Sequence, residues 1–213
     1  MILKYYYWYF KAVLPPRICN DLIRYGKPKV AEKQLGIVGG IPGMDKRDLK
    51  KESLTKKEIK WLKKKRDSYV AFMNDRWIYK EIQPLLHMAN KNAGWNFEWS
   101  WSEDCQFTQY QKGQYYGWHS DGFSEPFKTK GPLNGKIRKL SMCVSLSPPE
   151  DYTGGELEFD FSTPDKKNIQ LCPSMRSQGS VVVFPSFMQH RIKPVTRGTR
   201  YSLVAWFCGN LFV

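Results

Sequence analysis

A chain of 213 residues with 41% hydrophobic and 15% aromatic side chains is long enough to bury a substantial core, and too apolar to be disordered over most of its length. Its 34 Lys and Arg against 20 Asp and Glu leave a formal charge of +14, which favours acidic partners such as nucleic acid, anionic peptides or anionic small molecules. No run of roughly 18 apolar residues is present, which argues against a membrane-spanning helix.

The opening MILKYYYWYFKAVLPP is apolar but aromatic, with Lys11 inside it and no small-residue cleavage site, so it reads as a strand rather than a signal peptide. Pro15 and Pro16 suit a helix start; Ile18, Leu22 and Tyr25 recur at helical spacing, and Gly26 is placed for a C-terminal cap. Residues 27–66 read as a basic excursion with a short helix near Thr55–Leu62. Eleven Lys or Arg fall between Lys46 and Arg66, so much of the positive excess is one local, solvated feature. A second amphipathic helix runs from Asp75 to about Asn92, with Ile78, Ile82, Leu85, Leu86 and Ala89 on one face. Pro84 is expected to kink or split it and Gly94 to end it. His87, within this helix, is expected to be a partly buried structural residue without a metal role.

From Trp95 the periodicity changes to two. FEWSW, CQFTQYQ, RKLSMCVSLS, GELEFDF, IQLCP, GSVVVFPS, QHRIKPV and RYSLVAWF read as short strands separated by Gly, Pro and Asp. That spacing predicts a mainly β, α+β fold: a double sheet or jelly-roll barrel with the N-terminal helices packed on one sheet. The simplest division is one domain over 1–213, with a strand, helical support and the basic loop in 1–94 and the β core in 95–213. The five cysteines are scattered, odd in number and free of CxxC spacing, so no disulfide framework or zinc site is expected, and a cytoplasmic location follows.

Three histidines occur in the whole chain, and one lies in QYYGWHSDGF, where His119 and Asp121 are two residues apart. In a strand such residues point to one face and can address one point, although His-x-Asp alone is a weak signal. The second half lies in FPSFMQHRIKPVTRGTRYSLVAWF. There His190 precedes a strand, TRGT reads as a turn, and the returning strand is expected to bring Arg200 beside the His190 segment. Alternation puts Arg200, Ser202, Val204 and Trp206 on one face and Tyr201, Leu203, Ala205 and Phe207 on the other. An Arg facing a barrel interior is costly without an anion or an internal carboxylate to neutralise it. Two His and one Asp are the ligand set of non-haem Fe(II) oxygenases, and their order followed by Arg200 is more specific than any single piece.

This pattern resembles the Fe(II)/2-oxoglutarate-dependent dioxygenases, and within them the prolyl 4-hydroxylase-like branch. The similarity runs from about Phe107 to Phe207. FTQYQKGQYYGWHSD resembles the segment leading into that branch's HxD motif, YTGGELEF its paired-glycine strand, and GSVVVFPSFMQHRIKPVTRGTRYSLVAWF its closing strands. YYWYFKAVLPPRICNDLI resembles its opening strand and helix, less specifically. The resemblance implies a double-stranded β-helix, or cupin-like core.

It also implies iron ligation by His119, Asp121 and His190. Arg200 would hold the distal carboxylate of 2-oxoglutarate, with Tyr110 as a second contact and Ser202 as a third. Tyr116, Arg138 and Trp206 match substrate-lining positions; the plainer alternatives are core aromatics and a surface charge. No catalytic residue beyond the metal ligands is implied, and the cosubstrates are 2-oxoglutarate and O2, with ascorbate as a reductant. Ser145 stands where some prolyl hydroxylases carry a cosubstrate-touching tyrosine, so the carboxylate would be held differently here.

The implied substrate is a proline-containing peptide or protein. The Gly/Pro-bearing basic segment GFSEPFKTKGPLNGKIRK is placed to close over it, and the basic 46–66 stretch to form the other wall. The same chemistry on a lysyl side chain, a free amino acid or another small molecule is the nearest alternative. Nucleic acid is the less favoured partner. Demethylases of the superfamily carry a second arginine six residues after the cosubstrate arginine, where this chain has Trp206. A non-catalytic binding module fits poorly with a complete ligand set.

Overall fold

The computed structural model describes residues 3–31, 34–35, 55–122 and 125–212. In chain order the strands and helices are β1 (Trp8–Phe10), α1 (Pro16–Ala31), β2 (Gln34–Leu35), α2 (Lys56–Lys65), β3 (Arg66–Asp67), β4 (Tyr69–Met73), α3 (Arg76–Asn92), β5 (Trp101–Ser102), β6 (Cys105–Tyr110), β7 (Tyr115–His119), β8 (Ile137–Ser145), β9 (Tyr152–Gly154), β10 (Leu157–Asp160), β11 (Ile169–Leu171), β12 (Val181–Pro185), β13 (Gln189–Ile192), β14 (Val195–Gly198) and β15 (Arg200–Gly209). The larger sheet runs β1-β12-β8-β15-β6-β4-β2, with β5 also on β15, and the smaller β11-β10-β13-β7-β3. This mainly β, antiparallel architecture is a double-stranded β-helix with helices on one sheet.

Period-two alternation explains how one sheet serves two cores. On β8, β12 and β15, Leu140, Met142, Val144, Val181, Val183, Leu203, Ala205 and Phe207 face the helices, where Ile18 and Leu22 of α1 and Ile78, Ile82 and Leu86 of α3 meet them. The intervening Cys143, Val182 and Phe184 point the other way and pack against Leu157, Phe159 and Ile192 of the smaller sheet. The polar residues of β15's inner face, Arg200 and Ser202, are held in that second space.

The helices depart from the sequence expectation at two breakers. Gly26 does not cap α1, which continues to Ala31. The glycine is needed for approach, since a Cβ there would lie 2.5 Å from the Phe107 ring. Pro84 does not split α3: it sits on the exposed face, while Ile82, Leu85 and Leu86 beside it are buried and hold the helix together. Gly94 does end that helix, with φ +71° and its N–H donating to the Lys91 carbonyl at 3.0 Å. The short basic helix is α2, capped by Thr55: Glu58 N donates to Thr55 Oγ1 at 3.3 Å and Thr55 N to Glu58 Oε2 at 2.7 Å. The part of the basic excursion over 36–54 lies outside the described residues.

Other boundaries also move. The front third is not purely helical after β1, because β3 and β4 add to the two sheets. FEWSW is mostly not a strand; Asn96 takes a left-handed φ of +51° and pairing starts only at Trp101. TRGT is not a simple turn but most of β14, which pairs with β9. The chain therefore changes sheet after His190, and β15 pairs with β6 and β8 rather than with β13. Arg200 faces the His190 strand from the opposite sheet instead of lying beside it. His87 is exposed rather than partly buried, with its ring 5.1 Å from that of Trp99. All five cysteines are free and buried.

Candidate metal centre

β7 and β13 are neighbours in the smaller sheet, and His119 and His190 are Cα partners across that pair. Their rings lie 4.1 Å apart. Asp121 follows β7 by two residues and is fixed by its neighbour, whose Gly122 N–H donates to the Ser186 carbonyl at 2.7 Å. One oxygen or nitrogen from each of the three side chains can be chosen so that all lie within 4.8 Å of one another, and among the described residues no other such cluster is found.

The histidine tautomers follow from the hydrogen bonds. His119 Nδ1 lies 2.8 Å from the Gly117 carbonyl and His190 Nδ1 2.9 Å from the Met188 carbonyl. A carbonyl oxygen only accepts, so each Nδ1 carries a proton, and in the neutral ring Nε2 is the atom that offers a lone pair. Those Nε2 atoms stand 3.7 Å from Asp121 Oδ1 and 3.7 Å from Oδ2, respectively. Burial, reinforced by the neighbouring His190, pushes the His119 pKa down to about 3. Burial alone would raise the Asp121 pKa, but His190, His119 and Arg138 hold it below the ordinary carboxylate range. A neutral His119 and an ionised Asp121 are protonation states that suit a divalent metal.

Among the described residues four buried side-chain polar atoms lack a hydrogen-bond partner: Asp121 Oδ2, Arg66 Nη2, Trp206 Nε1 and Ser145 Oγ. The first three residues line one cavity with the histidines, and Ser145 is the Cα partner of Ser202, which also lines it. Buried polar groups are normally satisfied, so an unmet set gathered around one cavity marks a place built for a ligand. Two lone-pair nitrogens and a carboxylate oxygen without a partner fit a divalent iron, the three lying on one side of it.

The expected cosubstrate residues converge as well. Arg200 is 1% exposed, is the Cα partner of Tyr110, and donates from Nη1 to Ser202 Oγ at 3.2 Å. No Asp or Glu pairs with it among the described residues. Tyr110 and Ser202 line the triad's cavity, whereas Arg200 does not and instead borders a second cavity with Tyr152, Gly154 and Gly155. Burial raises the Tyr110 pKa against the opposing fields of Arg66 and Arg200, leaving its hydroxyl a donor.

The expected substrate residues divide. The Tyr116 ring stacks on His119 at 3.4 Å and lines the cavity, as does Trp206. Arg138 lies within β8 and is tied into a pair with Glu103, its Nε at 2.6 Å from Oε1 and Nη2 at 2.8 Å from Oε2. Its Nη1 donates to the Asp121 carbonyl at 3.4 Å and its guanidinium lies 4.0 Å from the Trp206 ring centroid. Arg138 thus braces the metal-ligand loop.

Sequence reasoning missed Arg66. Counted with the basic run, it is 5% exposed and lines the cavity. It donates from Nε to Ser68 Oγ at 2.7 Å and from Nη1 to Gln106 Oε1 at 3.4 Å, and lies 4.5 Å from the Tyr116 ring centroid. The available signal was its place at the end of the lysine run, just before the alternating YVAFM.

Fold and site together are a two-histidine, one-carboxylate cluster on a double-stranded β-helix. Residues 105–208 match the 2OG-Fe(II) oxygenase superfamily. A PKHD-type hydroxylase of Idiomarina loihiensis is 33% identical over 99 residues, covering 46% of this chain and 38% of that protein. One of Hyphomonas neptunium is 41% identical over 96 residues, covering 45% and 38%. The matching segment thus spans well under half the length of these curated relatives. Among solved structures, a Pseudomonas putida prolyl-4-hydroxylase aligns at a TM-score of 0.62 with 19% identity, covering 96% of this chain and 92% of that one. A viral collagen prolyl hydroxylase of Paramecium bursaria Chlorella virus-1, solved with 2OG, aligns at 0.61 with 20% identity, covering 97% of each chain. At these identities the structural likeness speaks for the fold. Among the described residues no helix is long and apolar enough to cross a membrane.

Proposed function

We propose that this chain is an Fe(II)- and 2-oxoglutarate-dependent dioxygenase that hydroxylates a peptidyl proline. The observation that carries the reading is the cluster of His119, Asp121 and His190 in a cavity that Tyr110 and Ser202 also line, with the buried, acid-free Arg200 bonded to Ser202. Iron and 2-oxoglutarate, when bound, supply the oxidation: O2 is consumed in converting 2-oxoglutarate to succinate and CO2 and in placing one oxygen atom in a substrate C–H bond.

The chain's own residues supply position and shielding. His119, Asp121 and His190 hold the iron, and the Nδ1 bonds to Gly117 and Met188 keep both Nε2 atoms aimed at it. Arg200 takes the distal carboxylate as a fork, helped by the hydroxyls of Tyr110 and Ser202. Ser145, too short to stand in for a tyrosine, leaves that carboxylate to these three. Phe159 and Phe184 pack against His190 and exclude water from the far side.

The proline assignment draws on the prolyl hydroxylases among the structural neighbours and on the aromatic walls made by Tyr116 and Trp206. Helix α2 stands beside β7, with Tyr115 Oη donating to the Lys63 and Lys64 carbonyls at 3.0 and 3.1 Å. A basic wall therefore flanks the metal-ligand strand, where an extended peptide would cross.

The test is succinate formation from 2-oxoglutarate with Fe(II) in air, with and without proline-rich peptides. Peptide-stimulated turnover with a product heavier by one oxygen supports the full reading. Unstimulated turnover keeps the oxygenase and removes proline in those peptides as its target. Absence of turnover together with absence of metal-dependent 2-oxoglutarate binding removes both.

A further inference from the structure

The triad's cavity is lined by a buried guanidinium group, distinct from Arg200, that the proposed chemistry does not use. Arg200 and its two hydroxyl neighbours account for the distal carboxylate, and the triad accounts for the metal. Arg66 remains: it is buried, it lines the cavity, and its Nη2 meets no acceptor. Its neighbours are neutral oxygens: Ser68 Oγ, Gln106 Oε1 and the Tyr110 hydroxyl. Among the described residues no carboxylate neutralises it. A guanidinium removed from water and left without a counter-anion is costly, and an anionic ligand would relieve that cost.

Position decides which ligand. On β6 and β15 the Cα pairs run from Arg200 with Tyr110, through Ser202 with Thr108, to Val204 with Gln106. Arg66 bonds to Gln106, two steps along this ladder from Arg200, and lies over Tyr116, whose ring stacks on His119. It therefore stands level with the metal ligands on the Tyr116 wall, next to where a substrate would lie. It is also the first residue after α2, whose exposed Lys57, Lys60 and Lys64 extend the positive field outwards.

We propose that Arg66 is a specificity residue that pairs with a carboxylate of the substrate, so that this enzyme selects an acidic residue adjacent to the one it hydroxylates. The proposal rests on the oxygenase reading of the same pocket but not on proline as the target. Its planar fork suits a carboxylate held by two parallel bonds, which an amide of the same shape cannot reproduce.

The experiment is calorimetric binding under anaerobic conditions, with Fe(II) and saturating 2-oxoglutarate present so that Arg200 is already engaged. The probes are four capped pentapeptides: Glu or Gln before a central Pro, and the same two with Ala replacing Pro. The wild-type protein is expected to bind each Glu peptide about tenfold or more tighter than its Gln counterpart. Arg66→Gln should erase the difference, and Arg66→Lys should restore part of it. Absence of a Glu preference in both wild-type pairs overturns the assignment, whether the peptides bind equally or not at all. A Glu preference that survives Arg66→Gln overturns it as well. A Glu preference in both pairs, with no hydroxylation of the Pro peptides when the same complexes are exposed to air, upholds Arg66 and removes the proline reading, so the two failures are separable.

Discussion

Gly155 lies directly against the stem of Arg200: a Cβ built on it would sit 2.9 Å from Arg200 Cδ, and its φ of +67° is one that L side chains rarely adopt. The second glycine of the GG pair thus leaves room for the arginine proposed to hold the cosubstrate. Gly155→Ala is expected to displace the guanidinium and raise KM for 2-oxoglutarate about tenfold, with a smaller change in kcat. Steady-state succinate assays at varied 2-oxoglutarate check it. An unchanged KM would show that Arg200 is not held by this contact.

Much of this site was legible because it rests on period-two strands. Alternation alone placed Arg200, Ser202, Val204 and Trp206 on one face, and the structure has Ser202, Val204 and Trp206 lining the cavity. What was not legible depends on long-range packing. Gly26 and Pro84 look like breakers until Phe107 and the buried face of α3 are in view. Arg66 looks like one more lysine-run cation until Gln106 and Tyr116 close around it. The sheet change after His190 is also hidden, because β14 reads as a turn until its partner β9 is known. Arg138 was visible as a residue near the site, but its partner Glu103 lies 35 positions away in sequence.

That pair supports a second expectation. The Glu103 and Arg138 side chains are only 16% and 15% exposed, and removing Glu103 takes away the carboxylate that Arg138 holds by two bonds. Glu103→Ala should destabilise the protein by about 3 kcal/mol. Because Arg138 also bonds to the Asp121 carbonyl, Fe(II) affinity should fall roughly tenfold. Denaturant unfolding and metal titration measure the two effects separately. A stable variant with intact metal affinity would reduce the pair to surface decoration.

Asp121 links metal affinity to stability. Burial opposes its ionisation, but His190, His119 and Arg138 hold its pKa below the ordinary range, so the carboxylate supports the metal-free fold at neutral pH. Asp121→Ala is expected to be less stable than metal-free wild type at neutral pH, while losing more than about a hundredfold in Fe(II) affinity. Metal at a hundred times its Kd should stabilise wild type by about 2.7 kcal/mol and leave the variant unmoved. Equal stabilisation of both would place the metal elsewhere.

The buried thiols predict how the fold responds to alkali. Burial pushes the pKa of Cys19 up to about 11, and those of Cys105 and Cys172 up to about 12, from an ordinary value near 9.0. A thiol whose folded pKa is raised keeps its proton while the unfolded chain loses it. Its contribution to stability is therefore fully present below pH 9 and is lost as pH rises towards 11 or 12. The denaturant midpoint should fall steadily over that window, and replacing Cys19 by Ala should flatten part of the fall. At pH 8 the folded protein should resist thiol labelling, because all five cysteines are buried, and should release all five on unfolding. Rapid labelling of Cys105 in the folded state would mean that the sheet beneath α3 opens far more readily than its packing implies.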